Sequence, residues 1–237
     1  MKYKKIIEAK FINRPNRFIA EVEVNGEFVI SHVKNTGRCK EILVPGARVY
    51  LEDFFEDMKN RKLRYSLIGV KKVCDSKEIL INIDSQAPNK VVREALEEGK
   101  INLFGMGKLV KIKPEVTYNS SRLDFYVEDE NGVKGYIEVK GVTLENDGVA
   151  SFPDAPTERG IKHLNELSQL AKSGYKSYVI FVIQMEGMKR FTPNEKRHKA
   201  FKDALKTACE KGVNILAYEC KVQKDSLTLS KEVKVEL

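Results

Sequence analysis

With 237 residues, 42% of them hydrophobic and 32% charged, the chain is long enough for two modest domains or one large one, and apolar enough to bury a core; disorder is excluded as its default state. A formal charge of +8 favours a polyanionic partner through counterion release. The excess is not a basic tail: residues 1–85 hold 17 Lys and Arg against 12 Asp and Glu, and residues 86–237 hold 25 against 22, so a nucleic-acid surface has to arise from local arrangement.

From residue 3 to about 84 the apolar pattern is short and alternating. The runs 17–24, 27–33, 47–55, 63–73 and 78–84 read as strands. Asn25-Gly26 is a type I′ hairpin signal and Pro45-Gly46 marks another turn. About five strands with little helix predict a small β-barrel of OB type over 1–85. After Pro88 the period changes: Val91, Val92, Ala95 and Leu96 fit a short helix stopped at Gly99, and a second domain is expected over 86–237. Strands follow at 108–116, 122–129 and 134–142, the last two joined by a turn at Asn131-Gly132. Ile161, Leu164, Leu167, Leu170 and Ala171 form one stripe of a helix over 157–173 that Gly174 terminates. The near-continuous apolar run 175–184 reads as a buried strand, 194–212 as a helix and 214–220 as a strand. The final SLTLSKEVKVEL reads as an edge strand or a fraying end. The order β-β-β-α-β-α-β indicates an α+β or α/β layer.

Cys39, Cys74, Cys209 and Cys220 stand far apart without CxxC spacing, which suggests neither a zinc site nor a disulfide framework and fits a reducing cytosol. No stretch approaches 18 apolar residues, so a cytoplasmic protein without a membrane segment is expected.

The chemistry is concentrated in Ser121-Arg122-Leu123-Asp124-Phe125 and Tyr136-Ile137-Glu138-Val139-Lys140-Gly141. Side chains alternate along a strand, so Glu138 and Lys140 share a face, and the hairpin can bring Asp124 onto it. Adjacent carboxylates repel unless a cation neutralises them; Asp124 and Glu138, with the backbone carbonyl of Val139, would suit Mg²⁺ or Mn²⁺. Lys140 beside such an ion can orient the attacking water and stabilise charge developing on a phosphoryl group. An alternating Glu-x-Lys also suits an ordinary solvated strand. Asp124 at hairpin distance is what singles this one out.

Arg159, Lys162, His163 and Glu166 are expected on a polar stripe opposite the leucines of the next helix, where Arg122, Arg159, Lys162 and His163 would hold a substrate phosphate; a plain solvated face is the competing reading. Glu94 and Glu115 are further candidate metal ligands. In the first domain Arg14-Pro-Asn-Arg17 and Asn35-Thr-Gly-Arg38 are turn-like segments whose Arg14, Arg17, Asn35 and Arg38 can contact nucleic acid, or else serve ordinary turn chemistry.

The strings RPNRF (14–18), NTGR (35–38), PG (45–46), SRLDF (121–125), EVKGVTL (138–144) and FPDAPTERGIKHLNEL (152–167) resemble the sugar fermentation stimulation protein A (SfsA) family over about 14–220. The resemblance implies an N-terminal OB-like domain, a C-terminal PD-(D/E)xK restriction-endonuclease-like α/β domain, DNA binding and a DNA/RNA nuclease activity, with Asp124, Glu138 and Lys140 matching the nuclease motif. Leu123 stands where that motif's name has a proline. The alternative is a DNA-binding regulator of sugar (maltose) utilisation genes that keeps the nuclease fold; fold alone does not decide. A metal-dependent phosphatase or phosphodiesterase acting on small nucleotides with the same triad in a closed pocket is a third, minor reading. The oligomeric state is left open, a homodimer included.

Overall fold

Asn25 and Gly26 both take the left-handed conformation (φ 51° and 85°), as a two-residue hairpin turn requires, and so fold two alternating segments back on each other. The computed structural model describes residues 1–237 except 36, 59, 60, 75, 76 and 120, and only the backbone of 74; Thr36 of the Asn-Thr-Gly-Arg string therefore lies outside the described residues.

The first domain contains β1 (Ile6–Asn16), β2 (Ile19–Val24), β3 (Glu27–Val33), β4 (Arg48–Asp53), β5 (Tyr65–Cys74) and β6 (Lys77–Asn82). Their order is β3-β2-β1-β4-β5-β6, and a β3–β5 pairing closes the first five into a barrel. The five runs expected from the sequence correspond to β2 through β6. The barrel instead uses β1 as its fifth member and carries β6 as an extension. β1 escaped notice because charged residues interrupt Ile6, Ile7, Ala9 and Phe11, of which only Ala9 and Phe11 are buried.

The second domain runs α1 (Ala87–Glu97), β7 (Leu109–Tyr118), β8 (Ser121–Asp129), β9 (Lys134–Val142), β10 (Leu144–Asn146), β11 (Val149–Phe152), α2 (Glu158–Lys172), β12 (Lys176–Ile183), β13 (Arg190–Pro193), α3 (Glu195–Glu210), β14 (Val213–Gln223) and β15 (Ser226–Glu232). Pro88 sits in the first turn of α1, where its missing N–H costs nothing, and Gly99 (φ 67°) follows the helix end. Thr157 caps α2 by accepting the Gly160 N–H. The main sheet has the order β15-β14-β12-β9-β8-β7; β12 is parallel to both β9 and β14, and the outer strands are antiparallel.

β12 is central, and its continuous apolar run follows from burial on both faces. Tyr178, Ile180 and Val182 join the cluster of α1 residues Val91, Val92 and Leu96. Val179, Phe181 and Ile183 join that of Leu164, Leu167, Phe201 and Leu205 from α2 and α3. Two features differ from the expected layer: a small third sheet, β10-β11-β13, is inserted, and the helix over 194–212 is interrupted at His198, whose backbone is non-helical.

The two domains are joined along a broad seam. Gln184 donates to Asn82 and to the Asp84 carbonyl, Lys72 of β5 pairs with Glu145 of β10 at 2.5 Å, and one apolar cluster runs from the barrel into the α2 layer. The chain start crosses over as well, with Tyr3 N–H donating to Asp225 and the Met1 ammonium 2.6 Å from Glu94. Among the described residues no helix is long and apolar enough to cross a membrane.

Candidate active site

The site is created where two strands stop pairing. β8 and β9 run as an antiparallel ladder up to Phe125↔Ile137 and no further, although β9 stays paired with β12 to Val142. In the gap a side chain replaces the missing backbone partner: Asp124 Oδ2 accepts the Val139 N–H at 2.8 Å. The Val139 carbonyl projects to the same side as its N–H. The other Asp124 oxygen accepts from Asn89 Nδ2 at 2.7 Å, so the first turn of α1 fixes this carboxylate too.

Glu138 faces α2 and is only 3% exposed. Its Oε1 accepts from Lys140 Nζ and pairs with His163 Nδ1, while its Oε2 is buried with no hydrogen-bond partner. Buried polar atoms are nearly always satisfied, so an empty carboxylate oxygen marks the place for something else. Burial alone would raise the Glu138 carboxyl, but the His163 and Lys140 donors more than offset it and hold it below the usual range. Asp124 moves the other way: burial, followed by the Glu138 charge, raises it against the Val139 N–H, Asn89 and Lys140. The two carboxyls are thus pushed in opposite directions, the Glu138 charge disfavouring that of Asp124.

The structure gathers Asp124, Glu138, Val139 and Lys140, and adds His163 from α2. The expected polar stripe of α2 is split. Arg159 and Lys162 are exposed, whereas His163 and Glu166 are buried, because α2 packs on the face of the sheet over β12 and β9; His163 is turned to Glu138, and Glu166, whose Oε2 also has no hydrogen-bond partner, lies beside Lys162. His163 is therefore not a phosphate ligand as expected; both its nitrogens are engaged, Nδ1 by Glu138 and Nε2 by Arg159 Nε at 3.4 Å. Lys162 lines a cleft of about 470 Å³ with Asn119, Asn165 and Gln169. Arg122 is exposed and pairs with Glu115 at 3.5 Å on the outer hairpin, and Glu94 is engaged by Met1, so neither acid is brought to Glu138.

In the barrel, two of the motif strings form one knot. The Arg14 guanidinium donates to the carbonyls of Arg17, Asn35, Gly37 and Arg38. Asn35 donates to the Ile83 carbonyl and accepts the Gly37 N–H. Arg14, through both of its Nη atoms, and Asn35 are thus engaged within the protein, holding these segments together. A Cβ on Gly37 would lie 2.7 Å from Asp154 Oδ2, on the segment leading into α2, and 2.8 Å from Asn35 Oδ1, so a larger residue there would displace those side chains. Arg17 and Arg38 remain exposed.

Asn89 and the positioning contact of His163 were missed by sequence reasoning. Asn89 lies in no motif, and His163 reaches Glu138 only through the packing of α2.

The second domain matches the family described as "Sugar fermentation stimulation protein RE domain" over residues 86–226, and the first matches the "SfsA N-terminal OB domain" over 12–83. A "Sugar fermentation stimulation protein homolog" of Desulfitobacterium hafniense (strain DSM 10664 / DCB-2) is 53% identical over 100% of this chain and 99% of its own length. The homolog of Clostridium beijerinckii (strain ATCC 51743 / NCIMB 8052) is 52% identical, with 100% of both covered. Among solved structures, that of Pyrococcus furiosus SfsA in complex with Ca²⁺ superposes with a TM-score of 0.86 at 26% identity, covering 100% of this chain and 98% of the other. With both segments matched in order and relatives aligned end to end, the chain belongs to the sugar fermentation stimulation protein (SfsA) family and has its expected fold, an OB barrel followed by a restriction-endonuclease-like α/β domain.

Proposed function

We propose that this protein is a nuclease dependent on Mg²⁺ or Mn²⁺ that hydrolyses phosphodiester bonds of DNA or RNA. The observation that carries the reading is the buried Glu138 with one oxygen empty, set beside Asp124 and Lys140 in the strand gap. A pure binding module gains nothing from clustered carboxylates facing a phosphate backbone.

The donor set fits a hard cation. Asp124, Glu138 and the Val139 carbonyl would hold it. Among the described residues no three or more His, Cys, Asp or Glu side chains converge as a cage, which suits Mg²⁺, an ion that keeps several waters and substrate oxygens. When bound, the ion would supply Lewis-acid polarisation of the phosphate and a more acidic water. The P. furiosus relative was solved in complex with Ca²⁺.

The chain's own residues supply the rest. The Lys140 ammonium, which donates to Glu138, would turn to the water and to charge developing on the phosphoryl group. Asn89 and the Val139 N–H hold Asp124 in place. Arg159 and Lys162 on the outer side of α2, with Arg122, would take the flanking phosphates, and Arg17 and Arg38 of the barrel would continue the track. Exposed Phe28 and Ile30 on β3 offer apolar surface for bases there.

The test is cleavage of end-labelled single- and double-stranded DNA and RNA in Mg²⁺, Mn²⁺ or EDTA by the wild type and by Glu138→Ala purified identically. Metal-dependent cutting lost in the variant supports the nuclease and identifies its substrate. Equal traces from both proteins with DNA binding retained would overturn it in favour of a DNA-binding regulator.

A further inference from the structure

We propose that His163 is a positioning residue, which grips Glu138 by one oxygen so that the other alone is presented to a cation. The inference rests on the nuclease reading above and adds to it a direction of hydrogen bonding and a division of labour between His163 and Lys140.

The direction follows from Arg159. A guanidinium never loses its proton in a protein and can only donate. The nitrogen it meets, His163 Nε2 at 3.4 Å, is therefore an acceptor. An imidazole that accepts at Nε2 is neutral and carries its proton on Nδ1. Nδ1 then donates to Glu138 Oε1, and the chain of donors runs from the exposed Arg159 through buried His163 to buried Glu138.

Glu138 Oε1 also receives Lys140 Nζ, so this oxygen is saturated while Oε2 has nothing. An asymmetric arrangement of this kind imposes one-oxygen coordination. It also explains why two donors share one oxygen. Lys140 sits on a flexible stem, and its side chain keeps 15% of its surface exposed, so it can turn to a water or a phosphate. His163 is 4% exposed, packed into α2 beside Leu164 and Leu167, and has nowhere to go. When Lys140 leaves, His163 still occupies Oε1 and the carboxylate does not rotate.

The test uses the full-length chain stripped with EDTA and titrated with Mn²⁺ alone, the free ion being followed by electron paramagnetic resonance. His163→Asn places an amide donor near the former Nδ1, His163→Gln places it near Nε2, and His163→Leu has none; all replace a neutral side chain, so net charge is constant. We expect H163N to bind Mn²⁺ within about 3-fold of wild type, and H163Q and H163L about 10- to 100-fold more weakly, the range over which outer-shell partners act. Circular dichroism melting checks the fold, and if H163L is not native the Asn and Gln pair still decides. H163Q binding as tightly as H163N would overturn the positioning role while Glu138-dependent binding stood. Equal Mn²⁺ affinity in E138A and wild type would instead remove the cation site itself, and the inference with it.

Discussion

Glu138 and Glu145 are seven residues apart in sequence, both at most 7% exposed and both paired with a lysine, yet their hydrogen bonding is built differently. Glu145 is satisfied on both oxygens, Oε1 by the Gly148 N–H at 2.9 Å and Oε2 by Lys72 at 2.5 Å, and the pair latches the barrel to the second domain. Glu138 has two donors on one oxygen and none on the other. Burial alone does not distinguish these two acids; what distinguishes them is whether the protein itself completes the hydrogen bonding.

The largest expected break in this comparison is in activity. Glu138→Ala and Lys140→Ala should each lower metal-dependent cleavage by at least about 100-fold, with nucleic-acid binding in EDTA largely kept by K140A. In the same buffer E138A should cost less stability in urea than the Lys72 change below, since it strips Lys140 and His163 of their acceptor but also removes a buried oxygen that had no partner. Lys72→Met should behave in the reverse manner. It strands the Glu145 charge in the seam and should cost about 2–3 kcal/mol, the lower part of the range for a buried pair because Lys72 is partly exposed. An E138A protein as destabilised as K72M would show that both acids are latches.

Acid sharpens the same contrast. Burial raises the Glu145 carboxyl, but the Gly148 N–H and then Lys72 outweigh it and hold it below its ordinary value. A depressed folded value means that this stability is present above the unfolded pKa of about 4.3 and is lost as pH falls through the lower folded one. Urea midpoints measured across that window should drop less for Glu145→Gln than for wild type. A parallel pair of curves would show that the latch is not titrating.

Asn89→Ala should lower kcat by about 10-fold with little change in KM, since it loosens Asp124 without touching substrate. The smallest effects belong to the barrel. Arg17→Ala and Arg38→Ala should each reduce the salt dependence of nucleic-acid binding by about one unit of slope, as loss of one phosphate contact does. Arg14→Ala should leave that slope alone and lower the melting temperature, because its guanidinium donates to the carbonyls of Arg17, Asn35, Gly37 and Arg38 and ties two segments together.

Much of this was legible in the residues. Hairpin turns at Asn25-Gly26 and Asn131-Gly132, the buried run of β12 and the leucine stripe of α2 depend on local sterics and alternation, which a short window contains. The convergence of Asp124, Glu138 and Lys140 was legible for the same reason, one hairpin and a period of two. β1 was not, since alternating Lys and Glu mask a strand that is only half buried. Nor was the use made of the arginines: Arg14 and Arg17 look alike in sequence, and only the placement of Asn35, Gly37 and Arg38 around Arg14 tells the clamp from the exposed Arg17.

The sequence by itself therefore determined the family, the two-domain order and the acid, acid, lysine set, all of which rest on strings of neighbouring residues. Tertiary structure alone decided which atoms of that set are already occupied. His163 meets Glu138 across 25 residues, and Asn89 meets Asp124 across 35. Saturation of a carboxylate depends on every group packed around it, and no local pattern of side chains carries that information.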